Sequence, residues 1–399
     1  MPGWELFDEA EKKSVAEVMD TGILMRYGFD AARKGVCKAR QFEELLSRTT
    51  GARHTLLLAN GTAALTTALA ALGIGAGDEV IMPTFTFVAT FESVLAAGAV
   101  PVMADIDESL CLSPEAVEKA ITPRTKAIIP VHMCGASSKM DELLAIAARH
   151  KLKLLEDSCQ AFGAKYKGKW LGTIGDAGCY SFDFNKICTC GEGGAVLTND
   201  LDTYKRADMY HDHGHDHTNP DRGAEGHPFG GFNYRISELG AAVGLAQLGK
   251  IHKAVEIHRR HKAALRDAIA DACPGLQWRE LADAAGDSAT FLTFFAPTEA
   301  IASDCVKKLS AAGVDGSFHW WANNWHYIQN WWHFKKKDYA NRLPDSLMAA
   351  MPDYGKADYS ASDALMKRCV SVPIRMNWTP AELSRRALAA AQAIKEAEA

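Results

Sequence analysis

The first half of this chain alternates between short apolar runs and segments of helical period, and that alternation limits it to one broad class of fold. The apolar runs are TLLLA at 55–59, EVIMP at 79–83, VPVMADI at 100–106, AIIPVH at 127–132 and KLLEDS at 153–158. Between them lie TAALTTALAAL, SPEAVEKAI and KMDELLAIAARH, rich in Ala and Leu with apolar residues three and four apart, the spacing of one helix face. Strands that are apolar along their whole length need cover on both faces, which strand–helix–strand crossovers supply. The expectation is a mostly parallel sheet flanked by helices, an α/β domain.

The pattern changes at 233–275, from NYRISELG to ADACPG, which reads as one long helix stopped by Pro274-Gly275. Beyond it come a strand-like ATFLTFFAP, an aromatic-rich stretch, and a last helix opened by Thr379-Pro380-Ala381-Glu382, a capping box with proline at the first helical position. A length of 399 residues suits two units. We place the boundary near residue 250, with a large domain over 1–250 and a smaller α+β domain over 251–399.

Charge and targeting signals narrow the partners. The formal charge is −5 with no clustered Lys/Arg stripe, which argues against nucleic acid. No window of about 18 residues is continuously apolar, and the start, MPGWELFDEAEKKSV, is acidic where a secretory signal is basic and then apolar. A cytoplasmic protein with no membrane partner is expected. The ten cysteines, scattered from Cys37 to Cys369, are expected to be reduced, and the C-x-C of Cys188 and Cys190 lacks the second pair of a zinc site. The histidines of HDHGHDH, His211 to His217, offer no fixed ligand scaffold; they read as a polar active-site loop or an exposed turn, and no metal is expected. Small molecules remain as ligands.

In a wound α/β sheet, ligands collect beyond the carboxyl ends of the strands. After TLLLA comes Asn60-Gly61-Thr62 and then an Ala-rich helix, which reads either as a plain N-cap or as an anion site at a helix N-terminus. Two nucleotide motifs fail. GIGAG at 73–77 precedes a strand instead of following one, and in GAKYKGKW a tryptophan, Trp170, stands where a P-loop needs Ser or Thr. Asp157 closes another apolar run and alone reads as a cap. In SFDFNKICTCGEGGAVLTND, residues 181–200, Lys186 stands between two strand-like runs and before a Gly191-Glu192-Gly193-Gly194 turn, alone a solvated connection. Taken together, a lysine, a carboxylate and a phosphate site are what pyridoxal 5'-phosphate requires: a Schiff base, a protonated pyridine nitrogen and an anion anchor.

With ANGTAAL, PTFTFVAT, LLEDSCQA and FNYRISELGAAVGLAQL, the lysine segment resembles the DegT/DnrJ/EryC1/StrS family of sugar aminotransferases, five motifs occurring in the family's order up to about residue 250. The resemblance implies the aspartate-aminotransferase-type fold (PLP fold type I), with Lys186 carrying the cofactor and Asp157 pairing with its ring nitrogen. It implies that Gly61, Thr62 and Ser181 hold the phosphate, that Phe87 stacks on the ring and that Gln160 approaches the ring oxygen. Asn233 would reach the phosphate from a neighbouring subunit, so a homodimer with shared active sites is implied. So is a ping-pong transfer of an amino group from L-glutamate to a carbonyl sugar. Lysine at 186, where the family's dehydratases carry histidine, favours amino transfer over dehydration.

The stretch FHWWANNWHYIQNWWHF, 318–334, packs five tryptophans into seventeen residues and reads equally as core or as a sugar-binding surface. GILMRYGFDAARKGVCKAR, DHGHDH, NNWHY, VHMCG and MPGWELF depart from the general family pattern. They are similar to members that aminate 8-oxo-3,8-dideoxy-octulosonate, a lipopolysaccharide sugar acid. That likeness implies a small sugar acid as acceptor, with Arg26 meeting its carboxylate or standing as an exposed loop residue, and with His215 and His326 as further substrate contacts. The alternatives are a nucleotide-linked keto sugar of O-antigen or natural-product biosynthesis, a sugar dehydratase, or a non-catalytic PLP-binding regulator.

Overall fold

A computed structural model describes residues 2–219 and 221–398. In its first 200 residues the strands are β1 (His54–Leu58), β2 (Glu79–Pro83), β3 (Val100–Ala104), β4 (Thr125–Ile128), β5 (Lys153–Asp157), β6 (Lys165–Tyr166), β7 (Lys169–Trp170), β8 (Ala177–Ser181) and β9 (Gly194–Thr198). β6 and β7 form a small hairpin, and the other seven form one mixed sheet in the order β1-β9-β8-β5-β4-β2-β3. β8, β5, β4, β2 and β3 run parallel, and within this sheet only β9 reverses, pairing antiparallel with β1 and β8.

The apolar runs explain why the sheet is buried on both sides. Side chains alternate between the two faces of a strand. Leu56, Leu58, Val80, Met82, Ala127 and Leu155 therefore join one core, and Leu57, Ile81, Ile128 and Leu154 join cores on the other face. The parallel direction brings the carboxyl ends of β8, β5, β4, β2 and β3 to one edge, and β1 exits there too. The residues leaving that edge are Asn60 after β1, Thr84 after β2, Asp157 at the end of β5 and Ser181 at the end of β8.

The helix expected over 233–275 is two helices, Glu238–Leu248 and Ile251–Ala272. At the break the Lys250 N–H bonds Gln247 O at 2.9 Å, while its ammonium is held by Glu11 at 2.7 Å and by the Leu6 carbonyl at 2.8 Å. The second helix is shared: Ile251, Ala254 and Val255 pack against one core of the large sheet, and Leu265 and Ile269 against another built on a second sheet.

That second sheet is antiparallel, formed by β10 (Gln277–Trp278), β11 (Phe291–Phe295), β12 (Phe318–His319) and β13 (Cys369–Pro373) in the order β10-β11-β13-β12. Leu292, Phe294, Val370 and Val372 face helices Glu299–Ala311 and Pro380–Glu398, whereas Phe291, Phe295 and Cys369 face the core of the large sheet. The last helix carries the expected capping box: Thr379 N–H donates to Glu382 Oε2 at 2.8 Å, and Glu382 N–H donates to Thr379 Oγ1 at 3.3 Å. All ten cysteines are free thiols. Among the described residues no helix is long and apolar enough to cross a membrane.

Phe91, on helix Val88–Ala96, joins this helix to the aromatic stretch. It is fully buried, stacks on Phe334 at 4.0 Å, and meets Trp331 and Tyr354 edge-on at 6.0 and 5.3 Å. Phe91→Ala should therefore cost about 3–5 kcal/mol, read as a lower midpoint in denaturant unfolding, with Phe91→Leu losing much less.

Candidate active site

Three strand ends and Gly61 build the floor of a cavity of about 750 Å³. The Asn60 side chain caps helix Gly61–Ala71 by accepting the Ala63 N–H at 2.8 Å, and its carbonyl takes the Ala64 N–H. The N–H groups of Gly61 and Thr62 then have no acceptor among the described residues, as expected at a helix start. A Cβ on Gly61 would lie 2.8 Å from Ser181 Cβ, and one on Gly194 would lie 2.3 Å from Asn60 O. Only glycine lets the helix start, the end of β8 and the start of β9 meet this closely. Gly61, Thr62 and Ser181 line the cavity together, giving free amides, two hydroxyls and the positive end of a helix dipole.

Asp157 lies at the end of β5 and is 4% exposed. Its Oδ1 accepts the Cys159 N–H at 3.1 Å and its Oδ2 accepts the Thr90 hydroxyl at 2.7 Å. Thr90 is in turn 2.7 Å from the Thr86 hydroxyl. The preceding residue faces the other way: Glu156 accepts the N–H groups of Gly172, Ile174 and Gly175 at 2.8, 2.6 and 2.8 Å and bonds His132 Nε2 at 3.1 Å. Strand alternation thus gives one carboxylate to the cavity and uses its neighbour to lock the strand end. Cys159 also lines the cavity, but burial, and then the charge of Asp157, push its thiol well above the ordinary range, so it is no thiolate nucleophile.

Lys186 sits in the loop between the antiparallel β8 and β9. Its N–H bonds Asp183 O at 2.9 Å, and its carbonyl accepts the N–H of Gly3 at 2.7 Å. The N-terminal segment thus clamps the lysine loop: Pro2 lines the cavity, and a Cβ on Gly3 would lie 2.6 Å from Ile187 O. The Lys186 ammonium has no carboxylate partner among the described residues and lines the same cavity as Asp157.

The aromatic stretch closes the opposite wall, and it is both core and cavity. It docks along the segment after β2, with Thr86 N–H to His326 O at 2.9 Å, Val88 N–H to Trp325 O at 3.0 Å and Ile328 N–H to Thr84 O at 3.2 Å. Trp320, Tyr327, Trp331 and Phe334 are buried, while Trp325 is 58% exposed and stacks on Phe87 at 6.2 Å. Phe87, Gln160, Phe318, Trp320, Trp325 and His326 all line the cavity. Asn323 Oδ1 accepts the Trp325 N–H at 3.0 Å, so His326 Nδ1, 2.9 Å away, must be the donor to it. Nε2 is then left as an acceptor. Burial, then the positive charge of Lys186, push the His326 imidazole down to about 3, so it stays neutral at ordinary pH.

Of the residues singled out by sequence, Gly61, Thr62, Phe87, Asp157, Gln160, Ser181, Lys186 and His326 meet at this cavity. Arg26 does not. It is buried, donating to the Leu57 carbonyl at 2.9 Å and pairing with Glu43 at 2.8 Å, so it holds strand β1 to the helix Lys38–Thr50. His215 lies outside the cavity, with Nδ1 2.6 Å from Glu225 Oε2 without hydrogen-bond alignment. Asn233 is exposed, outside its own chain's cavity, and bridges Asp212. Arg375, which sequence reading missed, lines the cavity.

The HDHGHDH segment forms a charge network beside Asn233. His217 bonds Asp208 at 2.8 Å and Asp212 at 2.9 Å, and Asp212 also pairs with Arg222 at 2.9 Å and with Arg235. Burial alone would lower the His217 imidazole, but the hydrogen bonds to Asp208 and Asp212 outweigh it and raise it to about 9. His211, fully buried, goes the other way, to about 3, through burial and then the charge of Arg26.

The set fits pyridoxal phosphate: an unpaired primary amine, a buried carboxylate with its own donors, an aromatic face, and a helix start whose glycine leaves room for an anion. The fold is that of the PLP fold type I aminotransferases. A family model described as the DegT/DnrJ/EryC1/StrS aminotransferase family matches residues 6–387, and the chain belongs to that family, whose members are PLP-dependent. It is 41% identical over 254 residues to a GDP-perosamine synthase of Caulobacter vibrioides, 63% of this chain and 65% of that protein; the match thus spans just under two thirds of the relative's length. The crystal structure of 3-amino-5-hydroxybenzoic acid synthase superposes with a TM-score of 0.80 at 30% identity, covering 98% of this chain and 97% of that one. The Bacillus subtilis NtdA structure, with bound PMP, gives 0.78 at 25% identity over 99% of this chain and 84% of that one.

Two outcomes follow from this geometry. Thr90→Val leaves Asp157 with one donor, so the apoprotein should bind pyridoxal phosphate about tenfold or more weakly, as titrated by tryptophan fluorescence, with Thr90→Ser close to wild type. The protonated His217 contributes stability that is full below about pH 6.5, its unfolded value, and is lost as pH rises through about 9. His217→Asn should accordingly be less stable than wild type near pH 6 by on the order of 1–2 kcal/mol after solvent screening, and the gap should close above about pH 9 in denaturant melts.

Proposed function

We propose that this chain is a PLP-dependent aminotransferase that moves an amino group from L-glutamate to the carbonyl of a sugar. The observation that carries this reading is the meeting of an unpaired Lys186, a buried Asp157 and the open helix start at Gly61-Thr62 around one cavity. The bound cofactor supplies the electron sink for a carbon that loses a proton. The chain supplies the rest. Asp157, whose oxygens accept from the Thr90 hydroxyl and the Cys159 N–H, would accept from the pyridine nitrogen. The N–H groups of Gly61 and Thr62, with the hydroxyls of Thr62 and Ser181, would hold the phosphate, and Phe87 and Gln160 on the cavity wall would face the ring. Lys186, as the primary amine beside the reacting carbon, would move a proton between the substrate carbon and the cofactor within each half-reaction. Asn233 would serve the cavity of a second copy in a homodimer.

For the acceptor we propose 8-oxo-3,8-dideoxy-octulosonate, converted to the 8-amino sugar of lipopolysaccharide. Support comes from the cavity wall built by NNWHY, one of the stretches that depart from the general family pattern, where neutral His326 offers an acceptor to a hydroxyl beside Trp320 and Trp325. A nucleotide-linked keto sugar is the second reading, favoured by the likeness to a GDP-perosamine synthase.

The test is stepwise. PLP-loaded protein mixed with L-glutamate should lose its yellow absorption and release 2-oxoglutarate, and Lys186→Ala should slow this by about a thousandfold. The amino form is then offered each acceptor. Recovery of the yellow form with the octulosonate supports the first reading, recovery only with a GDP- or dTDP-linked keto sugar selects the second, and no response to any amino donor sinks the aminotransferase reading.

A further inference from the structure

Arg375 lies two residues beyond β13 and lines the cavity that holds Lys186. Lys186 apart, it is the only lysine or arginine among the described residues around that cavity. Its Nη1 donates to Glu5 Oε1 at 3.1 Å, and Glu5 Oε2 accepts the Met376 N–H at 2.7 Å. The pair is asymmetric: the Glu5 side chain is 1% exposed and that of Arg375 38%. A tie that served only to pin the N-terminal segment would gain nothing from an open cation on a ligand cavity. Glu5 has both oxygens engaged, whereas a guanidinium carries five N–H donors, and Arg375 uses one of them among the described residues. The remaining donors are left to water or to a ligand.

The chemistry of that ligand follows from the fork and from the charges around it. A planar guanidinium matches a carboxylate with two parallel hydrogen bonds. Glu5 already offsets one positive charge, and the other acids on the lining are Asp157, Asp183 and Glu192. A diphosphate, with at least two negative charges, would find no second arginine or lysine among this chain's described lining residues once Lys186 is engaged; a single carboxylate needs none. We propose that Arg375, oriented by Glu5 from the N-terminal segment, is the carboxylate-binding residue of this cavity and selects substrates that carry a carboxylate. This rests on the aminotransferase reading. The carboxylate belongs to the amino donor or to a sugar-acid acceptor, and the two half-reactions tell them apart.

The experiment uses PLP-loaded protein. Arg375→Gln should weaken binding of glutarate, an unreactive dicarboxylate, by about 10- to 100-fold in calorimetric titration, whereas the uncharged glutaramide should show no difference between variant and wild type. It should raise KM by a similar factor, with a smaller change in kcat, in the glutamate half-reaction if the donor's carboxylate is held, or in the octulosonate half-reaction if the acceptor's is. Arg375→Lys keeps the charge and the Glu5 pair but not the fork, so it should recover only part of the loss. Glu5→Gln, a positioning change, should raise the same KM by a smaller factor. Should Arg375→Gln not fold, Arg375→Lys decides: a loss of about fivefold or more supports the assignment, and an unchanged KM and glutarate affinity overturn it. Values within about twofold of wild type for glutarate and for both carboxylate-bearing substrates in Arg375→Gln overturn it as well. If wild type performs neither half-reaction, the aminotransferase reading fails, while glutarate titration still judges Arg375.

Discussion

The contact on which the rest of this structure depends is the approach of Gly194 to the backbone of Asn60. A side chain at 194 would sit 2.3 Å from the Asn60 carbonyl oxygen, and one at 61 would collide with Ser181. Because both are glycines, the reversed strand β9 begins directly beneath the cap of helix Gly61–Ala71, and the end of β8 lies beside it. The lysine loop, which joins β8 to β9, is thereby forced to emerge next to the free amides of the helix start. The amine and the anion site thus meet at one tight junction of backbone, beside β8, whose pairing with β5 places Asp157.

Around that junction the polar groups are arranged so that each retains one defined state. Asp157 accepts from Thr90 and Cys159 N–H, which fixes the orientation of its carboxyl group. His326 is kept neutral by burial and by Lys186, with its tautomer set through Asn323. The N-terminal segment acts on two sides, clamping the carbonyl of Lys186 through Gly3 and ordering Arg375 through Glu5. The cavity is thus assembled from chain positions near 3, 60, 157, 186, 326 and 375, and only the sheet brings them together.

How much of this was legible in the sequence differs by element. β1 to β5 were readable because each is a continuous apolar run, and a strand buried on both faces leaves that trace. Asp157 and Lys186 stood out because they lie beside strand-like runs, where chemistry in a wound sheet collects; Ser181 entered only through the family resemblance. β10 and β12 have two residues each, too short for any periodicity. The split of the 233–275 helix depends on Lys250 reaching Glu11 across 239 positions, which no local pattern records. Arg26 and Arg375 could not be ranked from sequence for the same reason: one is claimed by Glu43, the other is held at the cavity by Glu5, 370 positions away. A loop arginine looks alike in both cases until its partner is known. In the aromatic stretch the composition was plain, but which rings turn inward is set by its docking along Thr84–Val88.

The proposed chemistry requires the amine of residue 186 to be the one that holds the cofactor. Borohydride reduction of the protein loaded with pyridoxal phosphate, followed by proteolysis and mass spectrometry of the peptides, measures this directly. The arrangement predicts a single phosphopyridoxyl adduct, on Lys186 in the peptide that joins β8 to β9. An adduct on a different lysine, or none at all after saturation, would contradict it.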